Sequence, residues 1–378
     1  MFGPKTRLFK IFDFEVKLDA SWFFLALLIA WTLAQGYFPA LYEGLPQKTY
    51  WSMGVLGALG IFFSIIFHEL SHSLVARRYN LPIKGITLFI FGGVAEMESE
   101  PPSAKAEFMI AIAGPIASFI LAVSFYGLYV IAQSLQIPDA TQGIVRYLAM
   151  INMILAVFNL VPAFPMDGGR ILRAALWQWT SDLPWATQIA SRAGTAFGII
   201  LMVLGLINIA TGNFIGGLWW ILIGLFIQSA ATSHYIQLQV RLALEGEKVS
   251  RFMVSNPITV GPDTTLRDFI EDYVYRHHHK MFPVLENKVL TGCVTTRRIK
   301  ETPRKQWDEM VVRQIMEPCT KDNTISADED AMKALEQMKR SGNSRLMVVE
   351  KGDLQGIVAL KDLMELFALK MELEKNEI

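Results

Sequence analysis

Six long apolar stretches occupy most of the first 232 residues: 21–38, 51–75, 108–135, 143–161, 189–210 and 214–231. Each is near the length of about 20 residues with which a helix crosses a bilayer, so six transmembrane helices are expected. Two shorter patterns accompany them. Residues 12–19 alternate, with Phe12, Phe14, Val16 and Leu18 on one side and Asp13, Glu15, Lys17 and Asp19 on the other. Period two predicts a short strand at the membrane surface. Residues 85–97 are apolar but too short to span, rich in β-branched and aromatic residues, and contain the pair Gly92-Gly93. A hairpin or strand dipping into the membrane is expected there, because irregular backbone survives at that depth only where protein covers it or it lines a cavity. A buried connecting loop is the plainer alternative. As a strand, its edge could take an extended peptide through backbone hydrogen bonds.

After Ala231 the pattern changes. Residues 233–246 read as a polar helical linker, and from Glu247 the chain is charged and soluble in character. Two segments there resemble each other: Val249-Ser-Arg-Phe-Met253 matches Val312-Arg-Gln-Ile-Met316, and residues 292–299 match 356–363. The glycines that open the second pair are 356 − 292 = 64 positions apart, a repeat of supersecondary size. In each unit a helical run (265–277; 330–340) precedes a β-rich run (281–285; 345–349) and then another strand. The expected domains are 1–232 in the membrane, a linker at 233–247, and two soluble repeats at 248–304 and 305–378.

Composition agrees with this division. Of 378 residues, 52% are hydrophobic and 19% charged, with a mean hydropathy of +0.33. These values favour a membrane protein with a soluble part. Thirty-five basic and 35 acidic residues cancel, so no global basic bias points to nucleic acid. Cys293 and Cys319 are the two cysteines, which does not indicate a disulfide framework and fits a reducing compartment. Met1 to Lys10 carries three cations but lacks the apolar core and small-residue site of a removable signal peptide. Of the cations flanking the spans, one side holds Lys5, Arg7, Lys10, Lys17, Arg77, Arg78, Lys84, Lys105, Arg170, Arg173 and Arg192, and the other only Lys48 and Arg146. Positive charge gathers inside, so both termini and the soluble repeats are expected in the cytoplasm.

Candidate chemistry sits inside the second span. His68-Glu69-Leu70-Ser71-His72 places two imidazoles four residues apart, on one helix face, where both rings can reach one metal ion. Glu69 can take a proton from a water that the metal activates. This is the H-E-x-x-H pattern of zinc hydrolases. A polar helix turn in a soluble core is its bland reading, but in hydrocarbon each ionisable group costs roughly 2.5 to 3.5 kcal/mol, and three together call for a function or partners. The fourth span runs into Asn159-Leu-Val-Pro-Ala-Phe-Pro-Met-Asp167-Gly-Gly-Arg170, where two prolines and two glycines break the helix around one acid. Asp167 suits a third ligand, since catalytic zinc takes three protein ligands and a water. It could instead cap the following helix or pair with Arg170. Asn159 could donate to a peptide carbonyl or oxyanion, or simply glue helices. Ala113-Gly114-Pro115 reads as close helix packing with no chemistry. His277-His278-His279 reads as a solvated helix end rather than a metal site.

With these residues in hand, the membrane part resembles the site-2 protease family of intramembrane zinc metalloproteases. The likeness rests on His68 to His72, Gly92-Gly93-Val94, Ala113-Gly114-Pro115 and Asn159 to Arg170. It implies that His68, His72 and Asp167 bind one Zn2+, that Glu69 activates water, and that Asn159 lies near the substrate carbonyl. It also implies that the strand near Phe14 and the Gly92-Gly93 segment form a small sheet beside the substrate path. Met166 stands where the family commonly has leucine, a volume-conserving change. The soluble part resembles a tandem pair of cystathionine-β-synthase (CBS) domains, which typically sense adenine nucleotides through a hydroxyl and an aspartate in the glycine-containing turn. The first repeat has Thr295 but Arg298, and the second has Asp362 but Ala359. ATP or AMP binding is therefore expected at one site at most, with a structural or homodimerising role as the rival.

The sequence thus predicts an α-helical polytopic membrane protein with a small membrane-associated β-sheet, followed by an α/β tandem CBS pair. Its expected activity is hydrolysis of a transmembrane or membrane-associated protein within the lipid bilayer of a prokaryotic cell membrane. A CBS-gated transporter or channel, with the histidines holding a transported ion, is the alternative from another class. Such a protein would have no use for Glu69 as a base. An inactive membrane scaffold is a third reading, against which the complete ligand set argues.

Overall fold

The computed structural model describes residues 6–11, 14–81, 83–89, 92–97 and 100–374. The chain separates into two compact units, Met1–Ile236 and Gln237–Ile378. In the first, the helices are α1 (Ala20–Thr32), α2 (Phe38–Leu41), α3 (Gln47–Arg78), α4 (Ala104–Ser134), α5 (Asp139–Asn159), α6 (Asp167–Thr180), α7 (Leu183–Ala210) and most of α8 (Phe214–Leu244), which ends in the second unit. A π-helical turn at Leu33–Tyr37 joins α1 to α2. Six helical stretches are long and apolar enough to cross a membrane: Ala20–Leu41, α3, α4, α5, α7 and α8. The fourteen residues of α6 make it too short, at about 1.5 Å per residue, to be a further span.

Four strands form one sheet in this unit: β1 (Thr6–Ile11), β2 (Phe14–Leu18), β3 (Ile83–Phe89) and β4 (Gly92–Met97), in that order. The alternation read from the sequence begins at residues 12 and 13, outside the described residues, and continues in β2, where Phe14, Val16 and Leu18 are buried. The predicted hairpin forms as β3 and β4, antiparallel, with Phe89 opposite Gly92. β2 and β3 run parallel, Glu15 opposite Gly85 and Leu18 opposite Leu88, which places β4 at the sheet edge. The buried face of β2 packs on Ile66 and Leu70 of α3, with Phe62, Ile65 and Trp22 around them.

In the second unit the repeats exchange strands. β5 (Val254–Ser255), at the start of the first repeat, pairs with β11 (Asp353–Ala359) of the second, whose sheet runs β5-β11-β10-β9, with β10 at Arg345–Glu350 and β9 at Thr324–Ile325. β8 (Glu317–Pro318), at the start of the second repeat, pairs with β7 (Val289–Thr295) of the first, beside β6 (Met281–Glu286). Gly356 faces Ser255 and Gly292 faces Pro318, so the two glycines that set the 64-residue period mark where a foreign strand crosses. A Cβ on Gly356 would come within 2.6 Å of the Val254 carbonyl oxygen, and one on Gly292 would collide with that of Glu317. Met281, Cys293 and Met347 fill the layer between the sheets. Burial pushes the Cys293 thiol up to about 12, which leaves it without thiolate at neutral pH.

Gly356→Val is expected to lower the stability of this unit by about 1–3 kcal/mol through overpacking against the crossing strand. Denaturant melts of the full chain with Trp307 as the one remaining tryptophan, the others replaced by Phe, check this by fluorescence, and an unchanged midpoint would show that the crossing yields freely.

Candidate metal centre

α3 carries His68 and His72 one turn apart, and the helix-breaking turn after α5 delivers Asp167 as the first residue of α6, behind Met166 at the N-cap. These three side chains meet. His68 Nε2 lies 3.1 Å and His72 Nε2 3.0 Å from Asp167 Oδ2, and the two Nε2 atoms are 3.1 Å apart. Exposure is 5%, 5% and 8%. Among the described residues this is the one cluster of three such side chains able to hold an ion.

The outer ring nitrogens are engaged elsewhere. His72 Nδ1 is 2.6 Å from the Ile110 carbonyl, and a carbonyl can only accept, so this nitrogen carries the proton. The Nε2 of a neutral ring then presents a lone pair. His68 Nδ1 is 2.9 Å from Ser118 Oγ, which can accept in the same way. Two imidazole lone pairs and a carboxylate oxygen thus converge at separations that repel unless a cation or a proton lies between them. Tetrahedral zinc, about 2.0–2.1 Å from each donor, needs donor separations of about 3.3 Å, close to those found. The donor set fits zinc. Gly114 completes the fit: a Cβ there would lie 2.6 Å from His68 Nε2 and nearer still to His72 Nε2.

The face of α4 that meets the site carries Glu107, Ile110, Gly114 and Ser118, at successive turns. It contributes no ligand, yet it holds both rings and leaves them room. The sequence reading gave Gly114 a packing role only and passed over Ser118, Glu107 and the Ile110 carbonyl. One signal was available, a carboxylate at 107 inside an apolar span, at spacings of seven and eleven from a glycine and a serine. The suggested pairing of Asp167 with Arg170 is replaced by another: Arg170 Nε turns to Glu107 Oε1 at 3.9 Å.

Glu69 is half-buried. At about 100° per residue it sits between the sector of His68 and His72 and the sector of Ile66 and Leu70 that packs on the sheet. Asn159 ends α5, half-buried, and its amide has no hydrogen-bond partner among the described residues. In the soluble unit Thr295 is the N-cap of the helix Thr296–Glu301 without a capping side-chain bond, and Asp362 Oδ2 accepts from the Ala359 N–H at 3.0 Å. Arg298, where aspartate is expected, bonds Glu317 of β8 at 2.7 Å. His277 closes a helix whose next residue, His278, is left-handed at φ 56°, consistent with a solvated end.

A buried two-histidine, one-carboxylate centre with a half-buried glutamate beside it, set among six helices long and apolar enough to cross a membrane, is the arrangement of an integral-membrane zinc metalloprotease. The chain belongs to peptidase family M50, whose model matches residues 56–144 and 131–205. CBS domain models match 249–304 and 312–369. Among similar proteins, Rip3 of Mycobacterium tuberculosis is 33% identical over 94% of this chain and 91% of its own. MJ0392 of Methanocaldococcus jannaschii is 33% identical over 97% of this chain and 98% of its own. Both carry zinc metalloprotease in their names. The solved site-2 protease from Methanocaldococcus jannaschii is 30% identical, covering 61% of this chain and 95% of that one, with a TM-score of 0.45.

Gly114→Ala is expected to weaken zinc binding at least tenfold by filling the space beside both Nε2 atoms, and Ser118→Ala to weaken it about 10- to 100-fold by freeing the His68 ring. Chelator competition on purified protein measures both. Unaltered zinc affinity in either variant would remove that residue from the site.

Proposed function

We propose that this protein cuts a peptide bond of a transmembrane or membrane-associated protein inside the bilayer, as a step of regulated intramembrane proteolysis. The observation that carries this reading is the convergence of His68, His72 and Asp167 within a bundle of helices long and apolar enough to cross a membrane, with Glu69 next to His68 in sequence. In it, His68 Nε2, His72 Nε2 and Asp167 Oδ2 hold zinc, which when bound polarises the scissile carbonyl and acidifies water. Glu69 accepts the proton of the attacking water and passes it to the leaving amine. Asn159 offers its amide to the substrate carbonyl. A substrate helix satisfies its own backbone and must unwind to be cut. The edge of β4, free on one side among the described residues, can hold the unwound segment by strand addition.

The positive-inside asymmetry supports cytoplasmic termini and cytoplasmic CBS domains, in a prokaryotic cell membrane. We place the domain limits at 1–232, 233–247, 248–304 and 305–378, with a homodimer formed through the CBS pair. ATP or AMP binds on the Asp362 side, where the motif position keeps its carboxylate, while Arg298 in the first repeat is committed to Glu317.

Glu69→Gln should keep its zinc and lose at least about 100-fold in cleavage of a membrane substrate. Full activity would sink the mechanism. Asp167→Ala should lose zinc, measured as metal content per chain; undiminished stoichiometry would make Asp167 structural. For the CBS pair, titration calorimetry with millimolar ATP or AMP should give heat that Asp362→Ala abolishes, and no heat with the unaltered protein would reject nucleotide binding.

A further inference from the structure

Arg173, two turns into α6, is 7% exposed, and its guanidinium contacts three separate stretches of chain. Its Nε donates to Glu107 Oε1 at 2.7 Å, and its Nη2 bonds the same oxygen. Nη2 also reaches Glu100 Oε2 at 3.2 Å, on the segment between β4 and α4. The guanidinium carbon lies 5.4 Å from the ring centroid of Phe164, in the turn that leads to Asp167. Phe164 is 2% exposed and its N–H donates to the Ala190 carbonyl of α7 at 3.2 Å.

Stability does not account for this network. Glu107 is fully buried, and its second oxygen has no partner among the described residues, nor has Arg170 Nη2. A buried ion pair with unmet lone pairs is commonly no better than apolar side chains of the same volume, whereas fixing register is its best-attested use. Register is what this site needs. α6 is short and spans nothing, yet its first residue must meet two imidazoles whose own positions are set by Ile110 and Ser118 of α4. Glu107 stands on that same face of α4.

We propose that Arg173 is a positioning residue for the metal centre: gripping Glu107 and Glu100 and covering Phe164, it fixes α6 against α4 so that Asp167 Oδ2 lies where His68 and His72 converge. The proposal rests on the reading of Asp167 as the third zinc ligand. Removing Arg173 alone leaves the buried Glu107 only the long contact to Arg170, and removing Glu107 alone leaves the buried Arg173 only Glu100, so either change lowers the thermal midpoint. The double variant Arg173→Met/Glu107→Leu removes both charges, so the zinc-stripped protein should melt like the unaltered one.

The test compares, in full-length detergent-solubilised protein, the melting of the zinc-stripped form, zinc affinity by chelator competition, and the visible spectrum with cobalt in place of zinc. The double variant should melt normally but bind zinc about tenfold more weakly, the low end of the effect of outer-shell partners, with an altered cobalt spectrum. A well-folded double variant with unchanged zinc affinity and spectrum would overturn the proposal. Should that variant not fold, Arg173→Lys decides: it keeps the buried cation but loses the fork, so weaker zinc binding supports the proposal and unchanged binding overturns it. Asp167→Ala serves as the separate arm. If it binds zinc like the unaltered protein, the ligand reading fails, whatever Arg173 does.

Discussion

Two ring nitrogens and one carboxylate oxygen, all presenting lone pairs, are held 3.0–3.1 Å apart where water is scarce. Left alone they repel, and in hydrocarbon an ionised carboxylate adds a cost of roughly 2.5 to 3.5 kcal/mol. The surrounding structure is legible as the apparatus that makes such a cluster tolerable. The outer nitrogens find a carbonyl and a hydroxyl, which hold both rings, and the carbonyl fixes the tautomer of His72. The inner atoms are left with a void that a single glycine keeps open. A divalent cation turns the repulsion into attraction, so metal binding and the integrity of the site are one problem.

The helices divide this labour unevenly. α3 supplies two donors on one turn, which any straight helix can do. α6 supplies the third from a turn broken by Pro162 and Pro165, which needs external reference points. α4 provides them without donating a ligand: Ser118 and Ile110 address the rings, Gly114 the space between them, and Glu107 the helix of Asp167. That face bears no side chain at Gly114, where it comes nearest the two Nε2 atoms.

The contiguous features could be read from the sequence: the H-E-x-x-H spacing within one helix, the broken helix around Asp167, and the six spans. The 64-residue repeat was also visible through its glycines. Features that depend on distant pairing could not be read. β1 was missed because Thr6–Ile11 shows no alternation of its own and becomes a strand by pairing with β2. The parallel match of β2 with β3 joins residues about 70 apart, and no local pattern announces it. The strand exchange between the CBS repeats is equally silent, since β5 and β8 are two residues each and stranded only by their partners. Arg173 counted as a flanking cation in the charge tally, whereas it is spent inside the bundle on Glu107 and Glu100.

The wheel of α3 explains why a protease centre and a small sheet share one helix. His68 and His72 point toward α4 and α6, which must be rigid because a displaced ligand loses the metal. Ile66 and Leu70 lie about 140° and 180° around from the midpoint of these two and pack on β2, the interior of a sheet whose edge, β4, can remain adaptable. Glu69 falls between the two sectors, so the residue proposed as the proton acceptor stands on the boundary between the ion site and the sheet side of the helix. An unwound substrate forfeits its internal hydrogen bonds, each worth about 1 kcal/mol net in water and more where water is absent. A strand edge restores them while keeping the peptide straight, and a helix face could not. Joining the rigid and the adaptable parts through one helix keeps the base in register with both.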